Sequence, residues 1–274
     1  MASANDTNTK LLLHCDGADE HTTFTDSSVG GNGGSQHTVT AQNTAQGDTA
    51  QKKFGTASGL FDGDSDYLTV PDHADWEFGT GKLTIDFWVR FADVTEHGAH
   101  GLMTQLEPLP GQDQYFYLTY DPGSENIILD VWDDTGRLVR CIGRDFAAVV
   151  DTWYHIAVIR GWGGNANDWA ITVDGVEAGT ETASIDWPAF SAVTLQIGRS
   201  NHDGTIYYLN GWMDEIRIVK GIARWTANFE VPSVPYPDVA DVWMGKVNTV
   251  ENPSKVNTIA NTAFSKVNTV ATYQ

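Results

Sequence analysis

The segment Leu83–Phe91 (LTIDFWVRF) limits the fold of this chain more than any other stretch. Leu83, Ile85, Phe87, Val89 and Phe91 take alternate positions, and Thr84, Asp86, Trp88 and Arg90 lie between them. A period of two is that of a β-strand with one face in a core and the other in water. Shorter runs repeat the signal: 11–15, 37–40, 58–61, 67–70, 115–120, 126–132, 137–142, 153–160, 169–173, 193–197 and 212–219. No long segment has apolar residues at helical spacing, so a parallel sheet, which needs crossover helices, is excluded. Turn chemistry fits the gaps. Asp174-Gly175 is a two-residue hairpin signal, because both positions need positive φ. Asp133-Asp134-Thr135-Gly136 reads as a second hairpin, and Asp62-Gly63-Asp64-Ser65-Asp66 as a third turn. The expectation is an all-β, two-sheet antiparallel sandwich.

The chain has 36 acidic and 16 basic residues, a formal charge of −20. A surface of that sign disfavours nucleic acid and anionic membranes as partners. No run approaches the length needed to cross a bilayer as a helix, so membrane insertion is not expected. Cys15 and Cys141 have no metal-ligand spacing and read as two buried thiols. The first ten residues, MASANDTNTK, lack the basic start and apolar stretch of a secretory signal.

Proline clusters in VPSVPYP (231–237), where the sandwich is expected to end. Beyond it Lys246-Val-Asn-Thr-Val250 recurs as Lys255-Val-Asn-Thr-Ile259 and Lys266-Val-Asn-Thr-Val270. The predicted organisation is therefore an N-terminal arm (1–10), a jelly-roll domain (11–237) and a C-terminal repeat tail (238–274). In the tail Val247, Val256 and Val267 are equivalent, as are Val250, Ile259 and Val270. A segment so poor in aromatic residues cannot fold alone, so these six are assigned to assembly or attachment.

Seven segments occur in a telling order: LLLHCDG (11–17), ASGLFDGDSDYLTVPD (57–72), WEFGTGKLTIDFWVRF (76–91), DTWYHIAVIR (151–160), ITVDG (171–175), LQIGR (195–199) and LNGWMDEIRIVKGIARWTANFEVP (209–232). Together they resemble the laminin-G-like jelly-roll family of the concanavalin-A-like lectin/glucanase superfamily. The resemblance is nearest to a subgroup typical of bacteriophage and environmental bacterial proteins. It implies a concanavalin-A-like jelly roll, and relatives that include adhesins, sugar-binding modules and virion components. The fold alone does not fix function.

Glycosidase chemistry needs two carboxylates on one strand face. Asp214 and Glu215 are adjacent, which on a regular strand turns them to opposite faces, and Asp86 is a lone acid in its strand. Tyr154 and His155 alternate faces, and His97 and His100 read as a surface loop. The chain is therefore read as non-enzymatic. Calcium is the expected cofactor, since acidic turns supply hard oxygen donors. The resemblance implies that the first and last strands lie side by side, with a structural ion at Asp16, the Gly17 carbonyl and Asp214. The competing candidate is Asp62-Gly63-Asp64-Ser65-Asp66, a D-x-D-x-D turn that looks like a calcium loop but lacks the later glutamate. For carbohydrate, Trp162 is the leading stacking residue, because neighbouring glycines would leave its ring open and Asn165 and Asn167 could meet hydroxyls. Trp132 and Trp187 are weaker candidates.

These features predict a virion surface protein, a capsid decoration or tail/fibre component. It would be extracellular, partnered with other virion proteins or with itself through the tail, and could contact host-surface glycans. The alternatives are a bacterial carbohydrate-binding adhesin and, third, a glycan-degrading enzyme.

Overall fold

The computed structural model describes residues 5–95, 98–106, 114–190, 192–202 and 205–238. The chain divides into two compact units, Met1–Asp241 and Val242–Gln274. The repeat tail, with Val247, Val250, Val256, Ile259, Val267 and Val270, lies outside the described residues.

The first unit is a sandwich of antiparallel sheets. Its strands are β1 (Thr9–Leu13), β2 (Thr40–Gln42), β3 (Gln46–Asp48), β4 (Ser58–Asp62), β5 (Tyr67–Val70) and β6 (Leu83–Phe91). Next come β7 (His100–Leu106), β8 (Tyr115–Asp121), β9 (Asn126–Asp133), β10 (Gly136–Gly143), β11 (Trp153–Arg160) and β12 (Asp168–Val173). The series ends with β13 (Val176–Thr182), β14 (Leu195–Ile197), β15 (Arg199–His202), β16 (Thr205–Tyr208) and β17 (Asn210–Lys220). One sheet runs β13-β12-β11-β6-β17-β4-β3, with β1 also paired to β17. The other runs β10-β9-β8-β7-β14-β5-β2, and β15-β16 form a separate hairpin. The first and last strands pair antiparallel, Leu13 opposite Ile216. At the β12–β13 hairpin Asp174 and Gly175 have φ of 49° and 77°, as the turn sequence requires.

Leu83, Ile85, Phe87, Val89 and Phe91 are all at most 1% exposed and belong to the core between the sheets. The opposite face of β6 is not solvated as the alternation suggested. Thr84, Asp86 and Trp88 are buried too, because two segments cover the outer face of this sheet. The stretch 221–238 lies across Asp86, His155 and Arg217: the Tyr236 hydroxyl donates to Asp86, and the Arg224 N–H donates to Thr84. Segment 53–57 covers the rest, with Lys53 Nζ 3.8 Å from the centre of the Trp88 ring.

Cys15 and Cys141 are free, buried thiols. His100 is not a loop residue. It is buried at the start of β7 against Phe91 and Tyr120, while His97 lies outside the described residues.

Candidate carbohydrate-binding groove

The outer face of the seven-stranded sheet is less covered, and its strand pattern explains what lies there. In β8, Phe116, Leu118 and Tyr120 enter the core, which turns Tyr115, Tyr117, Thr119 and Asp121 outward. Register sets Tyr115 opposite Trp132 and Tyr117 opposite Asp130 on β9. On β10, Arg137 pairs with Trp132 and Arg140 with Asp130. Between Arg137 and Val139 the register shifts by a bulge, which lets both arginines reach the same side.

The result is an aromatic shelf beside a charged cluster. Tyr115 stacks on Trp132 at 5.7 Å and 23°, and on Tyr117 at 6.0 Å and 18°. The Arg137 guanidinium lies 4.8 Å from the Trp132 ring centre. Asp130 is fully buried and receives the Tyr117 hydroxyl, with Arg137 Nε at 3.3 Å and an Arg140 terminal nitrogen at 3.7 Å. Burial and the neighbouring Asp130 carboxylate push the Tyr117 phenol well above its ordinary range, so it stays a neutral donor. Both arginine side chains remain more than a third exposed. Asp130 therefore fixes the two guanidiniums while leaving donors free toward solvent.

Next to the cluster is a cavity of about 390 Å³, lined in part by Tyr117, Thr119, Ile128, Arg140 and Tyr207. Tyr207 comes from the β15–β16 hairpin, which lies on β7. Glycine at position 101 makes that approach possible. A Cβ there would come within 2.1 Å of the Ser200 nitrogen and 2.3 Å of the Tyr207 carbonyl.

The residues singled out from sequence lie elsewhere. Trp162 follows β11, in the opposite sheet. Its ring packs against the cluster of Ala157, Ile159 and Trp225, and its Nε1 donates to Glu177 at 3.2 Å. The adjacent glycines do not leave it open; it is half-buried. Asn165 accepts from the Asn167 N–H within their own turn. Trp187 is a core residue. Of Trp132, Trp162 and Trp187, only Trp132 is on the groove. Tyr115, Tyr117, Asp130, Arg137 and Arg140 were not anticipated, although YFYLTYD (115–121) carries the signal, hydroxyl-bearing aromatics on the polar phase of an alternating strand.

At the proposed ion site, Asp16 and Asp214 both bind segment 53–57. Asp16 accepts from the N–H groups of Thr56 and Ala57, and Asp214 Oδ2 from those of Lys53 (2.8 Å) and Phe54 (3.0 Å). The Gly17 carbonyl accepts from the Thr56 hydroxyl at 3.3 Å. Asp214 Oδ1 is buried without a hydrogen-bond partner. Burial raises the Asp214 carboxyl to about 8. The D-x-D-x-D turn is self-satisfied: Asp62 accepts from the N–H groups of Asp64, Ser65 and Asp66.

Asp214 and Glu215 do not alternate as a regular strand would place them. The register against β6 shifts between Asp214 and Arg217, and Glu215 has a φ of 51°. Met213 and Ile216 both enter the core, so the two acids leave on the outer side. They still do not form a shared site. Glu215 is held by His14 at 2.7 Å and by the Tyr236 N–H at 2.7 Å.

Residues 62–224 match the family model described as the concanavalin A-like lectin/glucanases superfamily, of laminin G type. The chain belongs to this superfamily. No curated protein sequence matches it. Among solved structures, the binding domain of Paraclostridial Mosquitocidal Protein 1 aligns with TM-score 0.55 and 12% identity, over 82% of this chain and 51% of that one. The botulinum neurotoxin serotype D binding domain aligns with TM-score 0.55 and 14% identity, over 81% and 50%. Domain 4 of AbnA, an extracellular arabinanase of the GH43 class from Geobacillus stearothermophilus solved with arabinotriose, aligns with TM-score 0.53 and 18% identity, over 79% and 94%. The chain thus spans about half the length of the two toxin binding domains and nearly all of the arabinanase domain. At these identities the likeness is one of fold.

Proposed function

We propose that this superfamily member is a non-catalytic carbohydrate-binding module whose ligand lies in the groove on the seven-stranded sheet. The observation that carries the reading is the shelf of Tyr115 and Trp132 beside Arg137, Arg140 and Tyr117. A sugar ring has apolar C–H faces and a rim of hydroxyls. An aromatic plane takes the first, and fixed planar donors take the second. That structural neighbours include an arabinanase domain solved with arabinotriose and a botulinum binding domain solved with SialylT supports the class of ligand. The test is glycan-array screening followed by calorimetry. Trp132→Ala and Arg140→Ala are each expected to weaken binding roughly tenfold, equal to about 1.4 kcal/mol, with melting little changed. Binding that survives both substitutions but is lost in Trp162→Ala would move the site to the opposite sheet.

A second reading sets this module on a virion surface, as a capsid decoration or tail/fibre component. The three KVNTV-like repeats favour it, since equivalent apolar positions in register suit a symmetric contact. A structural calcium ion is also proposed at Asp214, with Asp16 and the Gly17 carbonyl as further oxygen donors. The buried, unbonded Asp214 Oδ1 fits such an ion. Binding would supply positive charge to a carboxylate otherwise protonated near neutral pH. Excess calcium should then raise the melting temperature over chelator, and Asp214→Asn should abolish the difference. An unchanged melting temperature in the wild type would rule the ion out.

A further inference from the structure

Away from the groove, the segment before β2 and the turn after β5 bring three metal-ligating side chains together. His37 Nε2 lies 2.9 Å, and His73 Nδ1 3.0 Å, from one oxygen of Asp75, Oδ2. The three ligand atoms are all within 4.8 Å of one another. His37 is buried and its ring rests 4.7 Å from that of Trp76, while its backbone N–H donates to Asp26. His73 caps the turn Ala74–Trp76 and keeps about a third of its side chain in solvent.

Backbone donors and ring nitrogens crowd the same few acceptors at this point. The Asn32 N–H points at His37 Nε2 (3.1 Å) and at Asp75 Oδ2 (2.6 Å), and the Asp75 N–H points at His73 Nδ1 (3.1 Å). A ring nitrogen that accepts an N–H carries no proton on that side. With His37 in the tautomer that leaves Nε2 unprotonated, the lone pairs of His37 Nε2, His73 Nδ1 and Asp75 Oδ2 converge on one point, where a metal ion would satisfy all three. We propose that His37, His73 and Asp75 form a binding site for a divalent transition metal of the zinc type, with a remaining position open to water on the His73 side.

The choice of metal follows from the donors and their neighbours. Two imidazole nitrogens and one carboxylate oxygen suit zinc, cobalt, nickel or copper; calcium and magnesium want oxygen throughout. Lys10 Nζ stands 4.0 Å from Asp75 Oδ1, a charge that opposes an ion held by electrostatics alone. Zinc-to-nitrogen bonds of about 2.0–2.1 Å need Asp75 Oδ2 to part from each of the two ring nitrogens by only a few tenths of an ångström. The half-buried His73 ring, on the solvent side of the cluster, is the one to make that movement. A bound ion would tie loop 28–37 to turn 73–76.

The experiment is titration of the full chain with cobalt(II), then zinc, in excess calcium so that oxygen-only sites are filled. One cobalt per chain should give a visible d–d band, displaced by zinc, and zinc should raise the melting temperature by several degrees. Both effects should be reversed by excess chelator. His73→Asn keeps a capping acceptor for the Asp75 N–H but removes the ligand. It should lose the band and the zinc shift while melting like the metal-free wild type. Should that variant fold poorly, Asp75→Asn is read by the same criterion. Absence of saturable cobalt binding, or a band that survives the substitution, overturns the site.

Discussion

The Asp86 carboxylate is fully buried yet stays charged, and its neighbours explain how. Burial alone would raise its pKa, but the Arg217 guanidinium, 3.0 Å away, and His155 hold it below the usual range. The Tyr236 hydroxyl donates to the same carboxylate, and the Tyr236 ring lies 3.8 Å over the guanidinium. Removing one partner of such a buried pair leaves an uncompensated charge. Arg217→Met is therefore expected to cost about 3–5 kcal/mol in denaturant unfolding. A lowered folded-state pKa means that the contribution is present above the unfolded value near 3.8 and fades as pH falls through the folded one. The stability difference between wild type and Asp86→Asn should be full above about pH 5 and shrink below about pH 4; a difference independent of pH would refute a charged Asp86. From sequence Asp86 was a solitary acid on a wet face. Its partners stand 131 and 150 residues further along the chain, and no local period reports a contact at that distance. The groove residues were hidden for the same reason: Tyr115, Asp130 and Arg137 become a cluster only once strand register is known.

Strands are legible where burial differs between their faces, and this decides which elements the sequence disclosed. β6, β8, β9, β11 and β12 each carry an apolar phase that enters the core. β13 (VEAGTET) is mostly exposed and has no such phase, and β7 puts Gly101 where a strand former is expected. The glycine is there for the hairpin that lies on it. Gly101→Ala would drive a Cβ into backbone atoms of Ser200 and Tyr207, which cannot rotate away as a side chain tip could. The β15–β16 hairpin must lift, and Tyr207 must leave the groove wall. The substitution should cost about 1–3 kcal/mol of stability and weaken glycan binding together. Loss of stability with unchanged affinity would show that the hairpin is no wall of the binding site.

For the whole molecule, the relation between the body and its repeat tail decides between a free module and a part of an assembly. The contacts that anchor the end of the body reach Asp238, the first residue of the predicted tail. Tyr236 bonds Glu215 and Asp86, and Asp238 lies 3.0 Å from His14 Nε2. A cut after Pro237 would remove the last of these, so the informative truncation follows Asp241, where the first compact unit ends. The truncated chain keeps the strap over Asp86 and Arg217, the core and the groove. It is expected to melt within a degree or two of the full chain and to bind the same glycans. If the repeats mediate assembly, light scattering should show an oligomer for the full chain and a monomer for the truncated one. Substituting Val247, Val256 and Val267 together by Asp should reproduce the loss, because charges at equivalent apolar positions cannot be buried in a symmetric contact. An unchanged oligomer would put the contact on the sandwich itself. Monomers in both cases would leave the glycan-binding module without an assembly role and remove the virion reading with it.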